Sequence, residues 1–146
     1  MTMTLPWRRT FIGVESLVAV GGVAGAWQLA TGTYVPPVSD LEPLGLTSWV
    51  LPGAWLFVSV AVPSGATAWL AVRRSPLTPK AALVAAAALA VELLVQIPFV
   101  GLDPLQAVFG AIAVGMGLVA VHAIRSGGWT QPVRTGRLPV HDAHLR

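Results

Sequence analysis

The stretch AALVAAAALAVELLVQIPFV, residues 81–100, decides the fold class of this chain. Its only charged residue is Glu92, and alanine, leucine and valine make up most of the rest. A helix needs about 20 apolar residues to cross the hydrocarbon core of a bilayer. Polar and apolar residues do not alternate here, as they do in a strand of a membrane barrel. The stretch therefore predicts a transmembrane helix.

Three further apolar runs of similar length accompany this one. Together the runs predict helices over residues 11–30, 49–72, 81–100 and 104–124. The composition agrees, since 55% of the chain is hydrophobic and 10% is charged, against about 25% charged residues in soluble domains. The absence of cysteine excludes thiol catalysis, disulfides and iron–sulfur ligation. We expect an all-α integral membrane four-helix bundle, with the lipid bilayer as its main partner.

The basic residues orient the predicted bundle. All nine precede the first run, separate the second from the third, or follow the fourth, whereas the opposite side carries Asp40, Glu42 and Asp103. Lysine and arginine in short loops stay in the cytoplasm, so both termini are predicted to be cytoplasmic. Residues 125–146 are predicted to be a disordered basic cytoplasmic tail. The nine basic residues are too scattered to form a surface that binds nucleic acid, so no nucleic acid is expected as a partner.

The segment WRRTFIG, residues 7–13, is similar to a twin-arginine export signal, and VAGA at residues 23–26 supplies small residues for cleavage. Its apolar run, however, extends to Ala30, contains Glu15, and is followed by three more spans. Cleavage after Ala26 would remove the small-residue face on which other helices pack. We expect the segment to be retained as the first helix.

Glu92 is the central polar candidate. At 1.5 Å per residue it lies just past the middle of its span, where an ionisable group is costly and marks a functional-site hypothesis. Gln96 follows one turn later on the same face. Pro63 is expected to kink the second span at a similar depth. The candidate intramembrane site therefore comprises Glu92, Gln96, Ser59, Ser64, Thr67, Gln28 and Gln106.

Two interpretations of this cluster stay open. Glu92 either fastens helices together through hydrogen bonds, or binds a proton, a cation or a small polar molecule. Nearer the basic side, Glu15 and His122 form a candidate inner-edge pair, interpreted as an interfacial ion-pair region near Arg8, Arg9 and Arg125. The alternative is an inner gate that passes protons to Glu92.

Catalysis and metal binding find little support in the sequence. It contains no Ser-His-Asp set and no phosphate-binding glycine loop, so no enzyme and no cofactor are expected. His141, Asp142 and His144 have a spacing that metals use, but they stand in the predicted tail without a second cluster and are expected to be solvated.

The leading functional prediction is a non-catalytic accessory or assembly subunit of a larger membrane complex. The alternative is a small transporter or channel with Glu92 as its proton or cation site. That alternative implies a homo-oligomer, because four helices enclose little lumen.

Two stretches, LGLTSWVLPGAWLFVSV at residues 44–60 and LLVQIPFVGLDPLQAVFGAIAVGMG at residues 93–117, resemble a known group. The group consists of uncharacterised small four-span actinobacterial membrane proteins that are DoxX-like in general appearance. The resemblance covers roughly residues 11–124 and is clearest at Pro52-Gly53, Val95-Gln96 and Leu105-Gln106. It implies a four-span fold in the inner membrane of a bacterial cell, and it implies no activity.

Overall fold

A computed structural model describes residues 5–101 and 103–126 of the chain. The helices are α1 (Leu5–Thr31), α2 (Val50–Leu56), α3 (Val62–Val72), α4 (Thr78–Val100) and α5 (Pro104–Arg125). A 3-10 helix (Val38–Leu44) precedes α2, and a π-helical segment (Phe57–Ala61) joins α2 to α3. The described residues contain no strand. The all-α prediction is confirmed, and the predicted tail lies outside the described residues from residue 127 onward.

Four stretches are long and apolar enough to cross a membrane, namely Trp7–Thr31, Val50–Val72, Thr78–Phe99 and Pro104–Arg125. α1 and α4 start earlier than the apolar runs predict. An apolar run marks only the part of a helix that lies in the hydrocarbon core, and the hydrogen-bonded helix can extend beyond it. Pro6 and Pro79 stand in the first turns of α1 and α4, where a missing N–H costs little.

Arg8 explains the additional turns of α1. Its Nε donates to the carbonyl oxygen of Ala71 at 3.0 Å, and its Nη2 donates to that of Val72 at 3.3 Å. The last carbonyls of a helix lack partners within the helix. Here the guanidinium of Arg8 donates to two of them, and the backbone N–H of Arg74 also donates to the Ala71 oxygen at 3.2 Å. The first turns of α1 are thus tied to the end of α3.

The second span is interrupted where the sequence predicts a kink. The π-helical segment ends two residues before Pro63, which has no N–H to offer to the carbonyl of Ser59. A π turn bonds residues five apart instead of four and so accommodates the missing donor. Thr67 donates its hydroxyl to the carbonyl oxygen of Pro63 at 2.9 Å. The break places Ser59 within the π-helical segment.

Small residues bring the helices together, as is usual in membranes. α1 packs against α2, the π-helical segment and α3, while α4 packs against α3 and α5. A Cβ atom on Gly22 would lie 3.1 Å from the Cβ of Ala61, and one on Gly53 would lie 2.9 Å from the carbonyl oxygen of Ala26. The backbones of α1 and the second span are therefore in close contact.

The bundle has two ends of different character. The loop end comprises residues 32–49 together with Gly101 and Asp103, and the basic end comprises the start of α1, residues 73–77 and the end of α5. At the loop end, Leu41 of the 3-10 helix is 1% exposed and Trp49 donates its Nε1 hydrogen to the carbonyl oxygen of Pro36 at 2.9 Å. The cytoplasmic location of the basic end stays a prediction.

Candidate functional site

Glu92 of α4 accepts two side-chain hydrogen bonds inside the bundle. Ser59 Oγ donates to Oε2 at 3.0 Å, and Gln96 Nε2 donates to Oε1 at 3.1 Å. The side chain is 6% exposed. One donor comes from the π-helical segment and the other from the next turn of α4. Glu92 thus joins two spans and is itself held in one position.

Local structure explains this arrangement. Residues four apart lie on the same face of an α-helix, so Gln96 stands directly above Glu92 on the side toward the loop end. Ser59 lies in the π-helical segment, which contacts both α1 and α4. The helix break next to Pro63 therefore supplies the partner on the second span.

A cavity of about 520 Å³ extends from Glu92 and Gln96 toward the loop end. Its volume is within the range of about 300–1,000 Å³ typical of small-molecule sites. α1, α2, α4 and the segment that contains the 3-10 helix all contribute to it. Most of its wall is apolar and aromatic, including Leu29, Leu41, Leu44, Trp49, Trp55, Leu56 and Phe99.

A second cavity, of about 340 Å³, lies on the side of α5. Its polar residues are Glu92, Gln96, Asp103 and Gln106, and the other residues that line it are apolar, such as Leu93 and Phe109. Four residues line both cavities, namely Gly25, Leu56, Glu92 and Gln96. The carboxylate and the amide therefore lie where the two cavities adjoin.

The structure divides the seven predicted site residues into two groups. Glu92, Ser59 and Gln96 are hydrogen-bonded to each other, and Gln28 and Gln106 line the first and the second cavity respectively. Ser64 and Thr67 lie elsewhere, because their side chains bond to Glu15 and to the Pro63 carbonyl. Gln106 has a further role, since its Oε1 accepts the backbone N–H of Asp103 at 3.3 Å in the capping box that begins α5.

Glu15 lies within the bundle and not at its edge. It is 3% exposed, its hydrogen-bond partner Ser64 is 1% exposed, and the adjoining cavity measures only about 10 Å³. α1 begins at Leu5, so Glu15 lies in the third turn of the helix. An apolar run that starts at residue 11 would place it in the second turn. Arg8 instead bonds to the carbonyls of α3. The ion-pair interpretation of Glu15 is replaced by a buried hydrogen bond to serine.

His122 is not a partner of Glu15. Its side chain is exposed on α5, two residues beyond the buried Ala120. A rotation of roughly 200° separates these two positions on an α-helix, so His122 is directed away from the helix interface. Among residues 5–101 and 103–126, no three His, Asp or Glu side chains are grouped as a metal site. His141, Asp142 and His144 lie outside these residues.

Sequence reasoning missed two residues that line the first cavity at the loop end. Leu41 and Trp49 line it, and both are at least nine-tenths buried. Part of the signal was present in the order of the residues, because Pro36 and Pro37 restrict the chain and the largely apolar stretch LGLTSW, residues 44–49, follows them. Only the fold shows that these residues line the cavity beside Glu92.

The Glu92 site thus combines a hydrogen-bonded carboxyl group with two adjoining apolar cavities. No protein-family model matches the chain, and neither the curated proteins nor the solved structures include a significant match to it.

Proposed function

We propose that the protein is a small transporter in which Glu92 binds a proton or a cation. The observation that carries this proposal is the position of Glu92, which lies where cavities of about 520 and 340 Å³ adjoin. A carboxyl group that only fastened two helices would need no cavity beside it. The void next to Glu15 is about 10 Å³, far too small for a solute. The two carboxyl groups thus differ in the space beside them, and only Glu92 has room for a ligand.

The proposal includes orientation and assembly. The basic end faces the cytoplasm according to the distribution of Lys and Arg, so the cavities open in the outer half of a bacterial inner membrane. Several copies form the working unit in this proposal, since four helices enclose little space for a transport route of their own.

Ion flux in proteoliposomes tests the proposed function. We expect the wild-type protein to dissipate an imposed proton gradient, and Glu92→Gln to reduce the rate at least tenfold because glutamine can neither release a proton nor carry a charge. Pyranine fluorescence inside the vesicles reports the proton flux. Glu42→Gln, which removes the same charge from the exposed 3-10 helix, is the control and should keep the wild-type rate. Equal fluxes for wild type and Glu92→Gln would remove Glu92 from the mechanism.

The second candidate is a non-catalytic accessory or assembly subunit, and one feature of α5 favours it. Ala111 and Gly115 are exposed one turn apart, and a Cβ atom on Gly115 would meet nothing within 4 Å. Small residues at this spacing let another membrane helix approach closely. This face of α5 is therefore suited to a partner helix.

Cross-linking in native membranes tests this second candidate. We expect Gly115→Ile to reduce the cross-linked species above the monomer mass by more than half, because the branched side chain keeps a partner helix at a distance. Gly13→Ile is a matched control, since Gly13 of α1 is also open but is not followed by a small residue one turn later. Identical cross-linking in both variants would exclude the Gly115 face as an assembly surface.

A further inference from the structure

The charges around the Glu92 site favour a positive ligand. Neither residues 10–72 nor residues 81–124 contain a lysine or an arginine, so the membrane-spanning core supplies no counter-charge to the carboxylate. Asp103 lines the second cavity and adds a further negative charge near the site. Acidic residues in the wall of a cleft raise the local concentration of cations. The side-chain charges at the site therefore favour a cation over an anion.

The walls favour a ligand with a large apolar surface. Trp49, Trp55 and Phe99 line the first cavity, and Phe109 lines the second. The face of an aromatic ring attracts an organic cation, most strongly when water is excluded. The apolar side chains between these rings would contact the hydrocarbon part of the same molecule.

A bare metal ion suits the cavities poorly. Hard cations take six or more oxygen ligands, whereas the polar side chains shared by the two cavities are Glu92 and Gln96. Within the described ranges there is also no group of three metal-binding side chains. An ionised carboxylate has about four acceptor positions, of which Ser59 and Gln96 occupy two. Acceptor capacity therefore remains for one further positively charged group.

Building on the transport function proposed above, we propose that the Glu92 site binds lipophilic organic cations, in which apolar groups shield a single positive charge. The charge pairs with the Glu92 carboxylate, and the apolar groups occupy the aromatic cavity toward the loop end. Gln96 and Ser59 hold the carboxylate in place, so binding requires little reorganisation of the site.

Tetraphenylphosphonium and tetraphenylborate provide a direct test, since they are alike in shape and opposite in charge. Calorimetric titration of the purified full chain in detergent is expected to show saturable binding of tetraphenylphosphonium only. Glu92→Gln should weaken that binding at least tenfold, while Glu42→Gln should change it less than twofold. Equal binding of both ions, or equal affinity in wild type and Glu92→Gln, would overturn the proposal.

A second pair of variants tests the cavity without altering any charge. Val95 is half exposed and lines the first cavity, whereas Val91 is similarly exposed one turn earlier on α4 and is not among the residues that line either cavity. Val95→Trp should weaken tetraphenylphosphonium binding at least fivefold by filling the cavity, and Val91→Trp should leave it unchanged. Equal effects of the two variants would contradict the assigned location.

Proton flux measured on the same preparations separates failure of this inference from failure of the transport function. Absence of tetraphenylphosphonium binding together with a Glu92-dependent proton flux would reject the ligand class and retain the transporter. Absence of both would reject the two proposals together.

Discussion

Replacing Gly53 by leucine is expected to destabilise the protein by about 3 kcal/mol or more, the upper range for overpacked sites. A Cβ atom at this position would lie 2.9 Å from the carbonyl oxygen of Ala26 and 3.1 Å from the Cβ of Leu29. Neither neighbour is the end of a flexible side chain, so α1 and α2 would have to move apart. Thermal unfolding in detergent, followed by circular dichroism, measures the loss.

Gly13→Leu is the matched control, because a Cβ atom on Gly13 would meet nothing within 4 Å. It introduces the same side chain into α1 and should lower the unfolding temperature by no more than a few degrees. A Gly53→Leu protein as stable as Gly13→Leu would show that α1 and α2 are not in backbone contact at this point. Because Leu29 and Pro52 line the first cavity, separation of these helices should also weaken ligand binding there.

The four spans could be predicted because the thickness of a bilayer sets the length of an apolar run. The ends of the helices could not, since they lie beyond the apolar core and depend on contacts distant in sequence. α1 extends back to Leu5, and the reason is visible only in the fold, where Arg8 bonds to the carbonyls of Ala71 and Val72. Hydropathy contains no information on such a contact.

The candidate site was predictable where one helix determines it. Glu92 and Gln96 are four residues apart, so their hydrogen bond follows from helix geometry. The similar depth of Ser59 and Glu92 in the membrane also predicted correctly that they lie close together. Depth alone could not show that Ser59 and Ser64 point in different directions, although five residues turn a regular helix by roughly 140°. The two serines consequently face different carboxyls, Glu92 and Glu15.

This division of the serines gives the broken span a specific place in the proposed mechanism. Ser59 in the π-helical segment bonds to Glu92 of α4, and Ser64 at the start of α3 bonds to Glu15 of α1. π-helical segments often occur at functional sites. Ser59 lies in the π-helical segment and Ser64 three residues after its end, so this one break in the second span lies next to the hydrogen bonds of both buried carboxyls.

The largest expected functional effect comes from changing Glu92 itself, and two substitutions separate its roles. Glu92→Leu leaves the donors of Ser59 and Gln96 without their acceptor. A fully buried donor without a partner costs roughly 1–3 kcal/mol, but both of these side chains are only half-buried. We therefore expect the two donors together to cost about 2 kcal/mol. Glu92→Gln keeps an acceptor oxygen and should remain within about 1 kcal/mol of wild type.

Function should respond differently from stability. Both variants should lose at least nine-tenths of the wild-type flux, because neither leucine nor glutamine ionises. Unfolding in detergent and flux in liposomes, measured on the same preparations, distinguish the two interpretations of the carboxyl group. Full flux in a well-folded Glu92→Gln protein, together with poor folding of Glu92→Leu, would make Glu92 a helix fastener and contradict its role as a binding site. Loss of flux in a Glu92→Gln protein of wild-type stability would instead show that transport requires an ionisable carboxyl group at this position.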